Sequence, residues 1–431
     1  MIKIGIIADD FTGAGDAASF LKLENANCIL VNGVPKEDFK LDNNMDVVVI
    51  ALKTRSVSKE EAISEVNQAY DFLNKIGTRM IYFKYGSTFD STADGNIGPV
   101  LDHLLEKMNV KYTLLSPALP INNRKVEDGI LYVDGLPIDQ THMRFHPLNP
   151  MDESDLKILL ERQSKYKVFK LTISQMENFL SDVESFDKYI NEKSEENEKF
   201  YLAVDYFKEE HGKIIAELFG DLKLFSGSSA LPAWLYKTLA QSRKDFVPVD
   251  YSTNEDKSTT IRGGVLAGSL SQATQSQIAT FINKGYASYS IQVRELLNSI
   301  DTVKKEIMYF IDENLDNVFI IYSEKNKDDN PEIHNKVGAL VEEVLSFAGE
   351  YSIDKGINSL VVAGGETSGA VVKNMNPNTF YIGEVISPGV PVLIPNNYQN
   401  LQVVLKSGNF GEANFFVEAL EKMNGGNDSG R

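Results

Sequence analysis

Two sets of residues in this chain have the types and spacing to do chemistry. The first is Asp9-Asp10, Arg55 and the run Lys84-Tyr85-Gly86-Ser87, each directly after or at the end of a short apolar stretch. A carboxylate pair can orient or deprotonate a hydroxyl, worth roughly 10²–10⁴ in rate. A guanidinium can take a carboxylate in two-point fashion, and Lys84 adds a second cation. The second set is three small, polar turns, Gly268-Ser269, Gly364-Gly365-Glu366-Thr367 and Ser407-Gly408. Glycine turns between a strand and a helix offer free backbone N–H groups at a positive helix end, which suits a phosphate. No Gly-Lys-Ser/Thr follows these glycines, so the turn is not a Walker A loop. Each residue also has an ordinary role open to it: helix-end charge for Asp10, a surface ion pair for Arg55, close strand–helix packing for the glycines.

The elements that would position the first set alternate strand and helix. Ile2–Ala8 is a buried strand running into Asp9-Asp10-Phe11-Thr12-Gly13, and a helix follows with Ala14, Ala17, Ala18 and Leu21 on one face. Cys28–Val31 and Met45–Leu52 are strands, the latter leading to Arg55. A helix then shows Ala62, Val66, Ala69 and Leu73, and Met80–Phe83 feeds the loop Lys84–Thr92. Ile97, Val100, Leu101, Leu104, Leu105 and Met108 mark another helix, and Tyr112–Leu115 closes the series. This rhythm predicts a parallel, doubly wound sheet, in which ligands gather beyond the carboxyl ends of the strands. Residues 117–150, with five prolines, break the rhythm and predict a long irregular excursion. Strands are expected again at Val168–Leu171, Phe200–Val204 and Lys223–Phe225, and a helix holding Trp234 after Ser226-Gly227-Ser228-Ser229.

A second run starts at Gly264, with a strand at Val265–Ala267, a turn at Gly268-Ser269, a helix through Ile278 and Phe281, and a strand at Val318–Tyr322. A long helix shows Val337, Leu340, Val341, Val344 and Leu345. Then come the strand Leu360–Ala363 with its glycine turn, the strand Val403–Lys406, and a helix with Ala413, Phe416, Val417 and Leu420. The expected organisation is therefore two α/β domains, each a mainly parallel sheet flanked by helices. Residues 1–244 are expected to form the first domain and 263–424 the second; the polar stretch 245–262 links them, and 425–431 are expected to form a frayed tail.

With 431 residues, 42% hydrophobic, there is enough chain for two cores. A formal net charge of −18 argues against a nucleic-acid or anionic-membrane partner, so an anionic substrate needs a local cationic pocket. The single cysteine, Cys28, leaves no disulfide framework and reads as a buried, inert thiol. No apolar run is long enough to span a bilayer, and the N-terminus enters a strand without a signal-peptide pattern, which reads as cytoplasmic.

Other motifs compete less well. Gly13-Ala14-Gly15-Asp16-Ala17-Ala18 fits G-x-G-x-x-A, but the aspartate pair precedes it and strand two ends at Asn32 rather than an acid, against a dinucleotide site. His103, His142, His146, His211 and His334 show no metal-ligand spacing; His103 and His211 read as solvated, while His142 and His146 lie in the excursion and could line a pocket. No Gly-x-Ser-x-Gly elbow is present.

Several blocks together resemble the four-carbon acid sugar kinases over nearly the whole chain. They are Ala8–Ala14, Lys84–Thr92, Gly95–Val100, His146–Met151, Ala267-Gly268-Ser269, Gly364–Gly369 and Lys406–Gly411. The resemblance implies that residues 1–244 are a sugar-acid substrate-binding domain and 263–424 a nucleotide-binding domain, with ATP contacts on Ser269, Gly364, Gly365, Glu366, Thr367 and Gly408. It implies sugar-acid contacts on Asp9 or Asp10, Arg55 and Lys84 to Ser87, with Asp10 or Asp9 as the catalytic acid–base. The implied reaction is ATP- and Mg²⁺-dependent phosphorylation of the C4 hydroxyl of a four-carbon acid sugar, 3-oxo-tetronate first, threonate or erythronate as alternatives. Glu366 is one candidate Mg²⁺ ligand, and the metal ligands as a set stay unknown. From other classes, a nicotinamide oxidoreductase or a non-catalytic sugar-acid sensor remain alternatives, and a homo-oligomer stays open. The expected arrangement has the strand tips of the two domains presented to each other. Two departures from the family pattern flank the expected sugar pocket: Gly86 where cysteine is usual, and Asn123 where glycine is usual before Arg124.

Overall fold

The computed structural model describes residues 2–36, 39–42, 44–145, 149–240, 262–324, 331–408 and 410–424, and the backbone only of 331–335. Most of the expected linker (245–261), the tail 425–431, His146 to Leu148 and Asn409 lie outside the described residues, as does the side chain of His334. The chain divides into two compact units, Met1–Val249 and Asp250–Arg431.

The first unit runs β1 (Ile4–Ala8), α1 (Phe11–Leu23), β2 (Cys28–Asn32), β3 (Val47–Ala51), α2 (Lys59–Lys75), β4 (Met80–Lys84), α3 (Ile97–Lys107) and β5 (Tyr112–Leu115). After these come β6 (Arg124–Glu127), β7 (Ile130–Val133), β8 (Leu136–Pro137), α4 (Leu156–Glu161), β9 (Lys167–Leu171), α5 (Ile173–Ser181) and α6 (Val183–Glu196). The unit closes with β10 (Phe200–Val204), α7 (His211–Phe219), β11 (Leu224–Gly227) and α8 (Leu231–Ala240). Its main sheet has the order β11-β4-β1-β3-β2, with every pairing parallel. β1, Ile-Gly-Ile-Ile-Ala, is buried at all five positions, as a strand covered by helices on both faces must be. Connections leave β1 toward β2 and β3 on one side and return to β4 on the other. Ala8 pairs in register with Ala51 of β3 and Lys84 of β4, so three strand ends lie abreast. The four positions expected on the core face of α2, Ala62, Val66, Ala69 and Leu73, are its buried residues.

Two expectations fail here for physical reasons. β5 does not join the main sheet; it pairs with β10 in a separate three-stranded sheet, β5-β10-β9. Residues 117–150 are not merely irregular: β6, β7 and β8 form an antiparallel meander. Its first turn is Asp128-Gly129 (φ 50° and 72°) and its second Asp134-Gly135 (φ 51° and 87°), the left-handed pairs that tight hairpins require. Asn123 also has a left-handed backbone, φ 58°. Asparagine suits this place, since it tolerates the left-handed region better than most residues.

The second unit runs β12 (Gly263–Ala267), α9 (Gln272–Asn283), β13 (Ala287–Ile291), α10 (Val293–Asn298), α11 (Ile300–Glu313), β14 (Val318–Ser323) and α12 (Pro331–Asp354). It continues with β15 (Ser359–Ala363), α13 (Gly365–Met375), β16 (Thr379–Ser387), β17 (Val390–Pro395), β18 (Gln402–Lys406) and α14 (Phe415–Met423). Its strand order is β16-β17-β18-β15-β12-β14-β13, parallel from β18 to β13 and antiparallel among β16, β17 and β18. Val265, Ile320, Val361 and Val404 of the sheet pack with Phe281, Phe416 and Leu420 of the helices in one core. Ala267, Ala363 and Lys406 lie abreast, so the turns after β12, β15 and β18 are neighbours.

Candidate functional site

At the carboxyl edge of the first sheet, Asp9, Asp10, Arg55 and Lys84 meet. Arg55 Nε and Nη2 donate to Asp9 Oδ2 and Oδ1 at 2.8 and 2.9 Å, a two-point ion pair, and Nη2 also reaches Asp10 Oδ1 at 3.0 Å. Lys84 Nζ donates to Asp10 Oδ1 at 3.3 Å and stands 4.0 Å from Asp9 Oδ1. Backbone bonds fix this approach: Asp9 N–H donates to Lys84 C=O and Arg55 N–H to Asp9 C=O. Burial pushes the Asp9 carboxyl up, opposed by the Arg55 and Lys84 charges. For Asp10 burial also acts upward, but the same two cations and the Gly13 N–H outweigh it and hold the group well below the usual carboxylate range. The Asp10 side chain is 31% exposed and that of Asp9 6%. Asp10 is thus the carboxylate of the pair that a ligand can touch.

The sequence reading missed a third acid, Asp90, whose Oδ2 lies 3.7 Å from Arg55 Nη1. Phe89 and Asp90 are consecutive left-handed residues, φ 64° and 45°, and Phe89 is fully buried. A bulky residue there costs on the order of 1–3 kcal/mol, strain of the kind that collects at working sites. Thr88 Oγ1 donates to Asp90 Oδ1 at 2.8 Å and completes the turn that aims Asp90 at Arg55. Asp90 lay inside the Lys84–Thr92 block, but nothing in its spacing marks it as Arg55's partner.

Asp16 was missed as well. It lies on α1, where residues 13–21 are all buried, and its Oδ2 accepts from Ser229 Oγ. Burial pushes it up to about 6, against the pull of Lys84 and Ser229. An acid within a run of glycine, alanine and serine was the available signal.

Three carboxylates therefore face two cations, which corrects the picture of an open anion grip. Lys84 is 4% exposed, with its ammonium 3.3 Å from Asp10 Oδ1. Arg55 keeps Nη1 as its least committed nitrogen. Beside it lies a small cleft whose lining includes Asp9, Thr54, Arg55, Asp90, Ser91 and Asn96. Asn96 Nδ2 donates to Thr54 and Val57 C=O at 2.8 and 2.9 Å, tying the start of α3 to the segment that carries Arg55. Of the remaining expected contacts, Gly86 packs against Asp90 and Ser87 is half-buried. Tyr85 is fully buried with its hydroxyl on Ser226 Oγ at 3.2 Å, so it supports the loop from beneath and does not face the cleft.

Elsewhere, His211 is buried under Phe207 rather than solvated, His103 is half-buried on Asn67, and His142 is exposed. Cys28 is buried, and burial pushes its thiol up into an inert range. The space above Gly13 that a pyrophosphate would need is filled by Lys84 Nζ.

In the second unit the expected residues converge. Gly268 and Ser269 N–H donate to Ala363 C=O, and Gly364 N–H to Lys406 C=O. Gly364 has φ 124° and caps α13 without a side chain, so the first N–H groups of that helix are left uncapped. A β-carbon at Gly408 would stand 2.4 Å from Ser269 Oγ, and one at Gly268 2.2 Å from Thr367 Oγ1; the turns close up only because both are glycine. Gly365 and Glu366 are exposed, and a β-carbon on Gly365 would meet open space. The result is a surface of main-chain donors and hydroxyls at a helix N-terminus, able to take a phosphate. Among the described residues no group of three His, Cys, Asp or Glu side chains could hold a metal ion, and no helix is long and apolar enough to cross a membrane.

Residues 4–235 match the sugar-binding N-terminal domain and residues 265–416 the nucleotide-binding C-terminal domain of a known family. Fold and site together thus define a two-unit α/β protein that joins a sugar-binding to a nucleotide-binding part. The 3-oxo-tetronate kinase of Pectobacterium atrosepticum is 36% identical over 98% of this chain and 100% of its own, and that of Haemophilus influenzae 33% identical over 96% and 98%. A solved structure from Salmonella typhimurium superposes with a TM-score of 0.85 at 32% identity, covering 98% of this chain and 100% of that one. One from Haemophilus influenzae superposes at 0.76 and 32% identity, covering 97% and 100%. The chain belongs to the four-carbon acid sugar kinase family, in the group of the 3-oxo-tetronate kinases.

Proposed function

We propose that this protein is an ATP-dependent kinase that transfers the γ-phosphoryl group of ATP to the C4 hydroxyl of 3-oxo-tetronate. The observation that carries this reading is the end-to-end likeness to 3-oxo-tetronate kinases, in a chain that sets a carboxylate–guanidinium cluster at one sheet edge and a main-chain phosphate surface at another.

The substrate carboxylate meets Arg55 through Nη1, from the cleft beside Thr54 and Asn96, with the Gly86 and Ser87 segment supporting Asp90 next to it. Asp10 receives the C4 hydroxyl. A carboxylate held ionised by Arg55 and Lys84 is a weak base, so its first task is orientation; it accepts the proton late, as the hydroxyl oxygen bonds to phosphorus and the bond to the departing ADP breaks. Asp9 locks Arg55 from the buried side. The phosphates of ATP rest on the turns of Ser269, Gly364 to Thr367 and Gly408, where uncapped N–H groups offset the charge on the transferring group. The described residues form no metal cage of their own, so no step is routed through a metal; Mg²⁺ is taken to arrive on the phosphates of ATP, its common mode of binding.

Release of ADP over a panel of four-carbon acids tests the reading. Turnover is expected with 3-oxo-tetronate, ahead of threonate and erythronate. Binding of the acid with no ATP consumption would mark a sensor instead, and NADH oxidation a dehydrogenase.

A further inference from the structure

Lys406, the last residue of β18, is fully buried, and its ammonium donates to Thr274 Oγ1 at 3.1 Å, Ser407 C=O at 3.1 Å and Gly408 C=O at 3.0 Å. All three acceptors are neutral. Among the described residues no carboxylate is within ion-pair reach, and the Phe416 ring lies 5.9 Å from Nζ. Burial alone lowers the ammonium to about 8, so near neutral pH it is a largely protonated cation with no counter-charge. An isolated buried charge is expensive, and a protein that has no use for one replaces it.

Its position suggests the use. The Gly408 carbonyl accepts from Lys406 Nζ, Thr274 Oγ1 and Ser271 Oγ together. The Lys406 carbonyl in turn accepts from Gly364 N–H. One residue thus ties the turns after β12, β15 and β18, the surface assigned above to the phosphates. Resting on that nucleotide reading, we propose that Lys406 is a positioning residue whose buried cation is balanced by the phosphates of the bound nucleotide while its ammonium holds the Gly408 carbonyl inward. It does not touch the ligand; it acts through the turns and through its charge. The attraction therefore grows with the charge on the nucleotide, whereas loss of turn geometry alone would weaken every adenosine compound alike.

The test is calorimetric titration of ATP, ADP, AMP and adenosine into wild type, Lys406→Met and Lys406→Gln. In Lys406→Gln, which keeps a donor for the turns, the ATP dissociation constant is expected to rise about tenfold or more, ADP less, with adenosine unchanged, the scaling of one lost charge acting over several ångströms. Lys406→Met, which also releases the Gly408 carbonyl, should lose at least as much for ATP. Sugar-acid affinity should stay at the wild-type value. Equal losses for ATP and adenosine, or wild-type ATP affinity, would overturn the proposal. If Lys406→Met does not fold, Lys406→Gln decides, because its amide still donates to the Gly408 carbonyl without the charge. Failure of the wild type itself to bind ATP would instead bring down the nucleotide reading and this inference with it.

Discussion

Lys84 Nζ lies 1.7 Å from where a β-carbon on Gly13 would stand, and Cε lies 2.8 Å from it. In an ordinary helix, alanine for glycine stabilises by roughly 0.5–1 kcal/mol. On α1 the methyl group would displace the ammonium that neutralises Asp10 and would also crowd Asp10 Oδ1, 2.3 Å from the same point. Gly13→Ala is therefore expected to lower kcat/KM at least about tenfold, with a melting temperature within a few degrees of wild type because the lysine tip can swing aside. Wild-type kinetics in this variant would mean that Lys84 does not set the charge of Asp10.

The two aspartates should separate in mutagenesis. Asp10→Asn keeps the shape and removes the exposed carboxylate, so kcat should fall at least about a hundredfold with the fold intact. Asp9→Asn removes the two-point partner of Arg55. It should cost stability, below the ~3–5 kcal/mol of a fully buried pair, because Asp10 and Asp90 remain beside a guanidinium that is partly exposed. Asp10→Asn should also cost stability near neutral pH, because its ionised carboxylate is held by Arg55 and Lys84. Paired urea titrations and turnover assays check this; wild-type kcat in Asp10→Asn would contradict its assigned role.

Asp16 gives a pH signature. Its folded pKa of about 6 lies above the ordinary carboxylate value near 3.9. The folded state thus binds more protons than the unfolded state between these values, and this group's contribution to stability falls as pH rises through that window. Asp16→Asn removes that slope. Between pH 5 and pH 8 the variant should lose about 1 kcal/mol less unfolding free energy than wild type, measured by urea denaturation at both pH values. Parallel profiles for the two proteins would show that Asp16 titrates normally.

How much of this was legible in the sequence depended on whether a feature has a local period. Parallel strands are buried on both faces and read as apolar runs, so β1, β3 and β15 stood out, and the residue types beyond their ends pointed to Asp9, Asp10, Arg55 and Gly364. The Asp128-Gly129 and Asp134-Gly135 turns carried a hairpin signal that the prolines around them obscured. β16 and β17 were hidden because residues 379–395 are buried in long stretches without a clean alternation. The pairing of Arg55 with Asp90, of Asp16 with Ser229, and of Lys406 with the Gly408 carbonyl arises from tertiary approach, which no spacing encodes.

A β-carbon on Gly86 would lie 2.3 Å from Asp90 Oδ2 and 3.5 Å from Arg55 Nη2. The glycine thus makes room for Asp90 beside Arg55. Gly86→Cys should push Asp90 away and free Arg55 Nη1. The KM for the sugar acid is then expected to shift severalfold while the KM for ATP stays unchanged. An equal change in both constants would show general damage rather than a local effect on the acid pocket.

Gly365 offers the counterpart test in the second unit. It is the first residue of α13, and a side chain there projects into open space rather than into the core. Valine at this position should cost the fold little, since nothing is displaced, beyond the few tenths of a kcal/mol of a β-branched residue at a helix start. It would, however, stand over the uncapped N–H groups to which the phosphates are assigned. Calorimetry of Gly365→Val should therefore show ATP binding lost or weakened by at least about a hundredfold, with 3-oxo-tetronate binding retained. The split between the two ligands is the informative quantity: loss of both would indicate unfolding, and unchanged ATP affinity would place the phosphates away from the start of α13.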